Sequence, residues 1–231
     1  GFGENALAIT DFGGSEVAWN TVLQPDGKIL IAGQVFLGRN NSNFILARYN
    51  TDGSLDETFG TDGKVTTDVS GLSDIGFAIA LQPNGKILVA GESNGDFSLV
   101  RYNPNGSVDT EFGNDGQTIT DTGFRDRARD VVVQPDGKIV VIGQGGFGDF
   151  TVVRYNNDGT PDNTFGNNGI ILTDFQFGSD DSVAGVLQPD GKILVAGSAF
   201  TDNDQDFALA RYLGDTFNRA PLSTVEISLQ N

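Results

Sequence analysis

The chain has 231 residues, with 32 glycines, 17 phenylalanines and 38% apolar residues, and it contains no histidine, cysteine or methionine. Its 31 acidic and 14 basic residues give a formal charge of −17, which repels phosphate backbones and anionic lipid heads and so argues against nucleic-acid and membrane-surface partners. Without histidine the commonest general base and every imidazole metal site are gone, and without cysteine so are disulfides and thiolate sites. The missing methionine implies a processed or excised piece, and no apolar run approaches the ~20 residues of a membrane span.

Taken in chain order, the first recognisable phrase runs from Phe2-Gly3 to Thr10-Asp11. An apolar run, TVL, then leads into Gln24-Pro25-Asp26-Gly27-Lys28, and a second run, ILIAG, follows. Proline presets φ and glycine accepts φ > 0, so this phrase predicts a tight β-hairpin. It returns at Gln82, Gln134 and Gln188, at intervals of 58, 52 and 54 residues. A third segment recurs as NFILARY (43–49), DFSLVRY (96–102), DFTVVRY (149–155) and DFALARY (206–212), alternating as a strand does. Gly53, Gly106 and Gly159 mark turns after it; Phe59, Phe112 and Phe165 open a fourth strand that ends in Thr-Asp at Asp68, Asp121 and Asp174.

Four strands per 52–58-residue unit, joined in sequential hairpins, predict an all-β fold: a β-propeller of four four-stranded blades. The opening phrase is a fourth-strand motif with no first three strands before it, and the last unit stops after its third strand at Tyr212. The N-terminal strand is therefore expected to complete the last blade and close the ring, limiting exposed edges. The expected domain is 1–217, with repeats at about 12–68, 69–121, 122–174 and 175–212 plus 1–11; residues 218–231 read as a linker or C-terminal extension. An open solenoid, or part of a larger ring, is the alternative.

The phrases QPDGKILVAG (188–197), DFALARY (206–212) and NTDGSLDETFGTDGKVTTD (50–68), with their copies, resemble the bacterial delta-60 repeat family of predicted β-propeller repeats. The resemblance covers about residues 2–217. It implies an extracellular setting, since such repeats occur in large secreted or surface-anchored bacterial proteins, and it supplies no catalytic residue.

Each repeat carries an acid eight residues before its glutamine: Glu16, Asp74, Asp126 and Asp180. On the innermost strands these would sit at equivalent places near a channel mouth, where carboxylates favour a hard cation such as Ca2+; the bland reading is that each caps its own loop. Asp202, Asp204 and Asp206 alternate like the start of a calcium loop, without its glycine and distal glutamate. Arg125, Arg127 and Arg129 form a basic cluster whose strand spacing would put them on one face, able to hold an anionic group of a partner. The arginine of each Arg-Tyr pair is expected to anchor Asp56, Asp109 or Asp162, and Phe44, Phe97, Phe150 and Phe207 to fill the core between blades, with Trp19 also in the core.

No phosphate loop, nucleophile elbow or zinc-protease helix is present. The functional expectation is a non-enzymatic secreted or cell-surface module for scaffolding or adhesion, cation-stabilised, with a protein or glycan surface or strand-exchanged copies of itself as partner. A glycan-binding lectin with repeated sites is the first rival; a hydrolase or lyase using channel-mouth carboxylates is the second.

Overall fold

The structure, a computed structural model, describes residues 1–39, 41–175, 178–200 and 204–214. Those residues are all β or irregular, and no helix among them is long and apolar enough to cross a membrane. They fall into two compact units, Gly1–Ile119 and Thr120–Asn231.

In the first unit β1 (Ser15–Leu23), β2 (Ile29–Gly38), β3 (Asn41–Tyr49) and β4 (Lys64–Thr67) form one sheet in that order. A second sheet follows with β5 (Asp74–Leu81), β6 (Ile87–Ser93), β7 (Asp96–Tyr102) and β8 (Gln117–Thr120). The second unit holds β9 (Arg127–Val133), β10 (Ile139–Gly145), β11 (Asp149–Tyr155) and β12 (Ile170–Thr173). Its other sheet comprises β13 (Asp181–Leu187), β14 (Ile193–Phe200) and β15 (Gln205–Tyr212). Each sheet is a sequential meander, as the repeat predicts. The fourth is three-stranded among the described residues, so the expected fourth strand of that sheet is not among its members. The expected extension at 218–231 lies outside the described residues.

Each Gln-Pro-Asp/Asn-Gly phrase makes the predicted hairpin. Gly27, Gly85, Gly137 and Gly191 have φ between 81° and 88°, the left-handed region that glycine enters without a Cβ penalty. The glycine N–H bonds back to the glutamine carbonyl at 2.9 Å in every copy.

A second regularity was hidden in the sequence. All four first strands carry a bulge at the same place, with the pairing register skipping Trp19, Phe77, Arg129 and Val183. The bulge turns one extra residue out of the ladder and pushes a backbone carbonyl over the neighbouring strand. Gly33, Gly91, Gly143 and Gly197 lie beneath that carbonyl, where a Cβ would overlap the oxygen of Val17, Ile75, Arg127 or Asp181. The glycine ending each ILVAG-type phrase is therefore required by the bulge beside it.

The cores lie between neighbouring sheets. Phe44, Leu46 and Phe59 of the first sheet pack with Ile79, Val89 and Tyr102 of the second; Phe150, Val152 and Phe165 of the third pack with Ile193, Val195 and Tyr212 of the fourth. Phe44, Phe97 and Phe150 are buried as expected, but Phe207 is 96% exposed. It sits on β15, which has no further strand beside it among the described residues, and none of these covers its ring. Trp19 also departs from expectation: it is 48% exposed, because it is the bulged residue, with its indole edge-on to Phe77 at 5.1 Å.

Candidate functional site

The charged residues shared by the repeats build a staple in each of the first three sheets, at the end that carries the Gln-Pro-Asp/Asn-Gly turn. Arg48 Nε donates to Asp56 Oδ2 at 2.7 Å, and Lys28 Nζ reaches the same oxygen at 2.7 Å. Arg101 and Lys86 hold Asp109 at 2.6 and 2.5 Å, and Arg154 and Lys138 hold Asp162 at 2.8 and 2.9 Å. Each guanidinium also lies over a phenylalanine: Arg48 on Phe59 at 4.5 Å, Arg101 on Phe112 and Arg154 on Phe165 at 4.4 Å, a cation–π arrangement. Arg48 then donates to the Pro104 carbonyl and Arg154 to the Gly214 carbonyl, so these two staples also grip the following sheet of their own unit. Burial alone would raise the Asp56 and Asp162 carboxyls, but the lysine and threonine hydrogen bonds and the arginine charge hold both well below the usual carboxylate range. These arginines are structural anchors.

At the opposite end of the sheets stand the four acids singled out as candidate cation ligands. Glu16 accepts from the N–H groups of Phe12 and Gly14, both at 3.0 Å. Asp74, fully buried, accepts from Val69 N–H at 2.7 Å, Ser70 Oγ at 3.0 Å and Ser93 Oγ at 2.6 Å. Asp126, also fully buried, accepts from Thr122 N–H at 2.7 Å and from the Thr122 hydroxyl. Asp180 accepts from Phe175 N–H at 2.8 Å. Each acid thus closes the loop that enters its own strand, the bland alternative raised by the sequence.

Within the second unit Asp180 also has carboxylate company. The β11–β12 register pairs Phe150 with Thr173, which sets Asp149 across from Asp174 where the strands end. Asp180 N–H donates to the Gly148 carbonyl at 2.5 Å and so draws its own side chain alongside. One carboxylate oxygen from each of Asp149, Asp174 and Asp180 lies within 4.8 Å of the others. Burial first, then the charges of Asp174 and Asp180, push the Asp149 carboxyl up. Burial raises Asp180 too, and the Asp174 charge adds to it against hydrogen bonds from the Phe175 and Phe200 backbones. Sequence reading noted all three positions as repeated but treated them separately; the register across β11 and β12 was the signal that joins two of them.

Of the remaining candidates, Arg125 is exposed, and Arg127 and Arg129 are half-buried. The bulge at Arg129 breaks the two-residue period of β9, so equal spacing does not put Arg127 and Arg129 on one face. Beside this cluster, Phe124 and Phe147 are 58% and 80% exposed with ring centroids 4.4 Å apart, an aromatic pair that sequence reading missed because each phenylalanine lies in a separate loop. Asp204 and Asp206 are exposed at the start of β15 and just before it, and Asp202 lies outside the described residues.

Sequence-repeated four-stranded meanders, stapled to one another and sharing their cores sheet to sheet, define a tandem-blade protein of the β-propeller class. The chain belongs to the β-propeller family described as a domain of unknown function, DUF5122, which matches residues 24–59, 82–112, 134–165 and 188–215, together more than half its length. No curated protein matches it in sequence. Among solved structures it is similar to a protein of unknown function from Bacteroides caccae, with a TM-score of 0.52 and 13% identity over 94% of this chain and 60% of that one. It is also similar to a protein of unknown function from Dyadobacter fermentans, with a TM-score of 0.48 and 12% identity over 86% and 60% of the two chains. A glycoside hydrolase gives 0.48 and 15% identity over 94% of this chain and 47% of that one. The chain thus spans 60% or less of the length of these structures.

Proposed function

We propose that the chain is a non-enzymatic binding and scaffolding module of a secreted or cell-surface bacterial protein, with repeats of the delta-60 kind. The observation that supports it is where the charge goes. The acids and arginines common to the repeats are engaged in staples and loop caps, while the repeats differ in their loops, and one such difference is the exposed Phe124–Phe147 pair beside Arg125. Exposed aromatics next to a cation suit a protein or glycan surface. Phe124→Ala with Phe147→Ala is expected to leave the melting temperature within about 2 °C, because little buried area is lost. Adhesion of the labelled chain to bacterial cell-wall preparations, lost in this double variant and retained in the parent, is the test; equal adhesion by both would refute this surface. A glycan array separates the rival: saturable sugar binding at several equivalent sites per chain would make the protein a lectin.

Ring closure belongs to the same proposal, since a closed scaffold has no free edge to aggregate. Phe2–Asp11 would complete the fourth sheet beside β15. In support, Thr10 Oγ bonds the Tyr49 hydroxyl at 2.6 Å, as Thr67 bonds Tyr102 at 2.8 Å one repeat later. Phe207 and Leu209, meanwhile, leave an apolar edge exposed. The chain lacks cysteine, so a paired Ala8→Cys and Leu209→Cys variant reports cleanly: an intramolecular disulfide supports closure, and disulfide-linked dimers or free thiols after oxidation contradict it.

A further inference from the structure

We propose that Asp149, Asp174 and Asp180 form a calcium site at the end of the third and fourth sheets, in which one of the four acids that repeat before each glutamine is joined by two carboxylates from the ends of β11 and β12. Oxygens bound to calcium at 2.3–2.6 Å lie at most about 5 Å apart, and the three carboxylates already meet that limit at 4.8 Å. They are held there by backbone: Asp149 and Asp174 by the β11–β12 ladder, Asp180 by its bond to the Gly148 carbonyl. Their exposure is graded, from buried Asp180 through half-buried Asp149 to exposed Asp174, so an ion would reach the innermost ligand from solvent.

What separates this group from an ordinary acidic surface is one oxygen. Asp180 is fully buried, its Oδ2 accepts the Phe175 N–H, and its Oδ1 accepts no hydrogen bond of good geometry among the described residues, the Phe200 backbone only steadying the carboxylate charge. A buried acceptor left unsatisfied is costly, about 1–3 kcal/mol and more when charged. The same position elsewhere does not carry that cost. Oδ1 of Asp74 takes the Ser70 and Ser93 hydroxyls, and Oδ1 of Asp126 takes the Thr122 hydroxyl. At Asp180 the residue in the place of Thr122 is Phe175 and the one in the place of Ser93 is Ala199, by the register that pairs Asp74 with Ser93 and Asp181 with Ser198, while the counterpart of Ser70, Gln176, lies outside the described residues. Neither Phe175 nor Ala199 can donate from its side chain. Two side chains that donate in the other repeats are thus replaced by apolar ones where the carboxylates are gathered, and a cation would satisfy the Asp180 oxygen. Calcium suits the group better than magnesium, because it tolerates irregular oxygen shells whereas magnesium demands a near-ideal octahedron.

Calorimetric titration of calcium into the chelator-treated 231-residue chain, at constant ionic strength, tests this. One saturable site is expected, with Kd of about 10⁻⁴–10⁻³ M, the range of extracellular calcium modules, and 10 mM calcium should raise Tm by about 3 °C or more. Asp180→Asn and Asp149→Asn should each weaken binding at least about tenfold and remove the shift, whereas Asp136→Asn, in an exposed turn, should bind as the parent does. Asp149→Asn keeps the test valid if Asp180→Asn misfolds, since Asp149 is influenced only by burial and its carboxylate neighbours. Absence of saturable heat to ~10 mM calcium, an equal Tm shift from magnesium, or parental affinity in Asp149→Asn would each overturn the proposal.

Discussion

The two ends of each sheet use the same residue type to opposite effect. At the staple end Asp56, Asp109 and Asp162 each face an arginine and a lysine, and their charge is wanted. At the loop end Asp74, Asp126 and Asp180 take bonds from hydroxyls and backbone N–H groups, and Asp180 stands beside other carboxylates. The staple end is nearly identical in the first three repeats, while the loop end drifts, from four donated bonds at Asp74 to an unsatisfied oxygen at Asp180. A carboxylate's role here is set by its donors, and position in the repeat alone does not reveal it.

The largest test of that contrast is to remove one charge from the staple end. Asp162→Asn leaves the fully buried Arg154 guanidinium and Lys138 facing a neutral amide. Breaking a buried ion pair from one side costs about 3–5 kcal/mol, and urea denaturation should show a loss of that size. Acid should do the same to all three staples. Their carboxyls titrate below the ordinary value in the fold, so their stabilisation is complete above about pH 4 and is lost as pH falls through the folded values. Asp149 and Asp180 are shifted the other way. There the folded chain holds protons more tightly than the unfolded chain, so their penalty grows as pH rises above about 4. Chelator-treated protein should therefore be most stable on the acid side of neutrality, and calcium should flatten that slope.

Between the two ends runs the bulged strand, where the effect is intermediate. Gly91→Ala would drive a Cβ into the Ile75 carbonyl and against the Phe44 ring, at a cost of roughly 1–3 kcal/mol by overpacking. Gly95→Ala has open space but a φ of 94°, so it would suffer from conformation alone. Comparing the two by thermal melts separates crowding from backbone strain.

Much of this was legible in the sequence because repetition amplifies it. Four copies of Gln-Pro-Asp/Asn-Gly fixed the hairpins, and three Arg…Asp spacings of eight residues foretold the staples. The exceptions arise where one residue breaks a period. Trp19 reads as core by alternation, but the bulge turns it outward. Phe207 reads as core by analogy with Phe44 and Phe150, but analogy cannot supply the covering strand. Asp149, Asp174 and Asp180 recur in kind at Asp96, Asp121 and Asp126. Among the described residues, the exchange of Thr122 and Ser93 for Phe175 and Ala199 marks the third-repeat set, and that exchange acquires meaning once the register is known.

The smallest effect is also the most discriminating. Asp74→Asn and Asp180→Asn are the same change at equivalent positions, both fully buried. At Asp74 the amide would present N–H groups to hydroxyls that now donate to a carboxylate, and charge-assisted bonds of this sort are worth about 1.5–3 kcal/mol each, partly recovered by rotating the hydroxyls. A net loss of about 1–2 kcal/mol is expected. At Asp180 the amide still accepts the Phe175 N–H, relieves a charge that burial and Asp174 oppose, and offers a donor to Asp149 or Asp174. Without divalent cations that variant should equal or exceed the parent by up to about 1 kcal/mol. Opposite signs from one substitution, measured in the same chelator-containing buffer, would show that the third-repeat loop end has exchanged stability for a ligand; equal losses at both would return Asp180 to the ordinary caps.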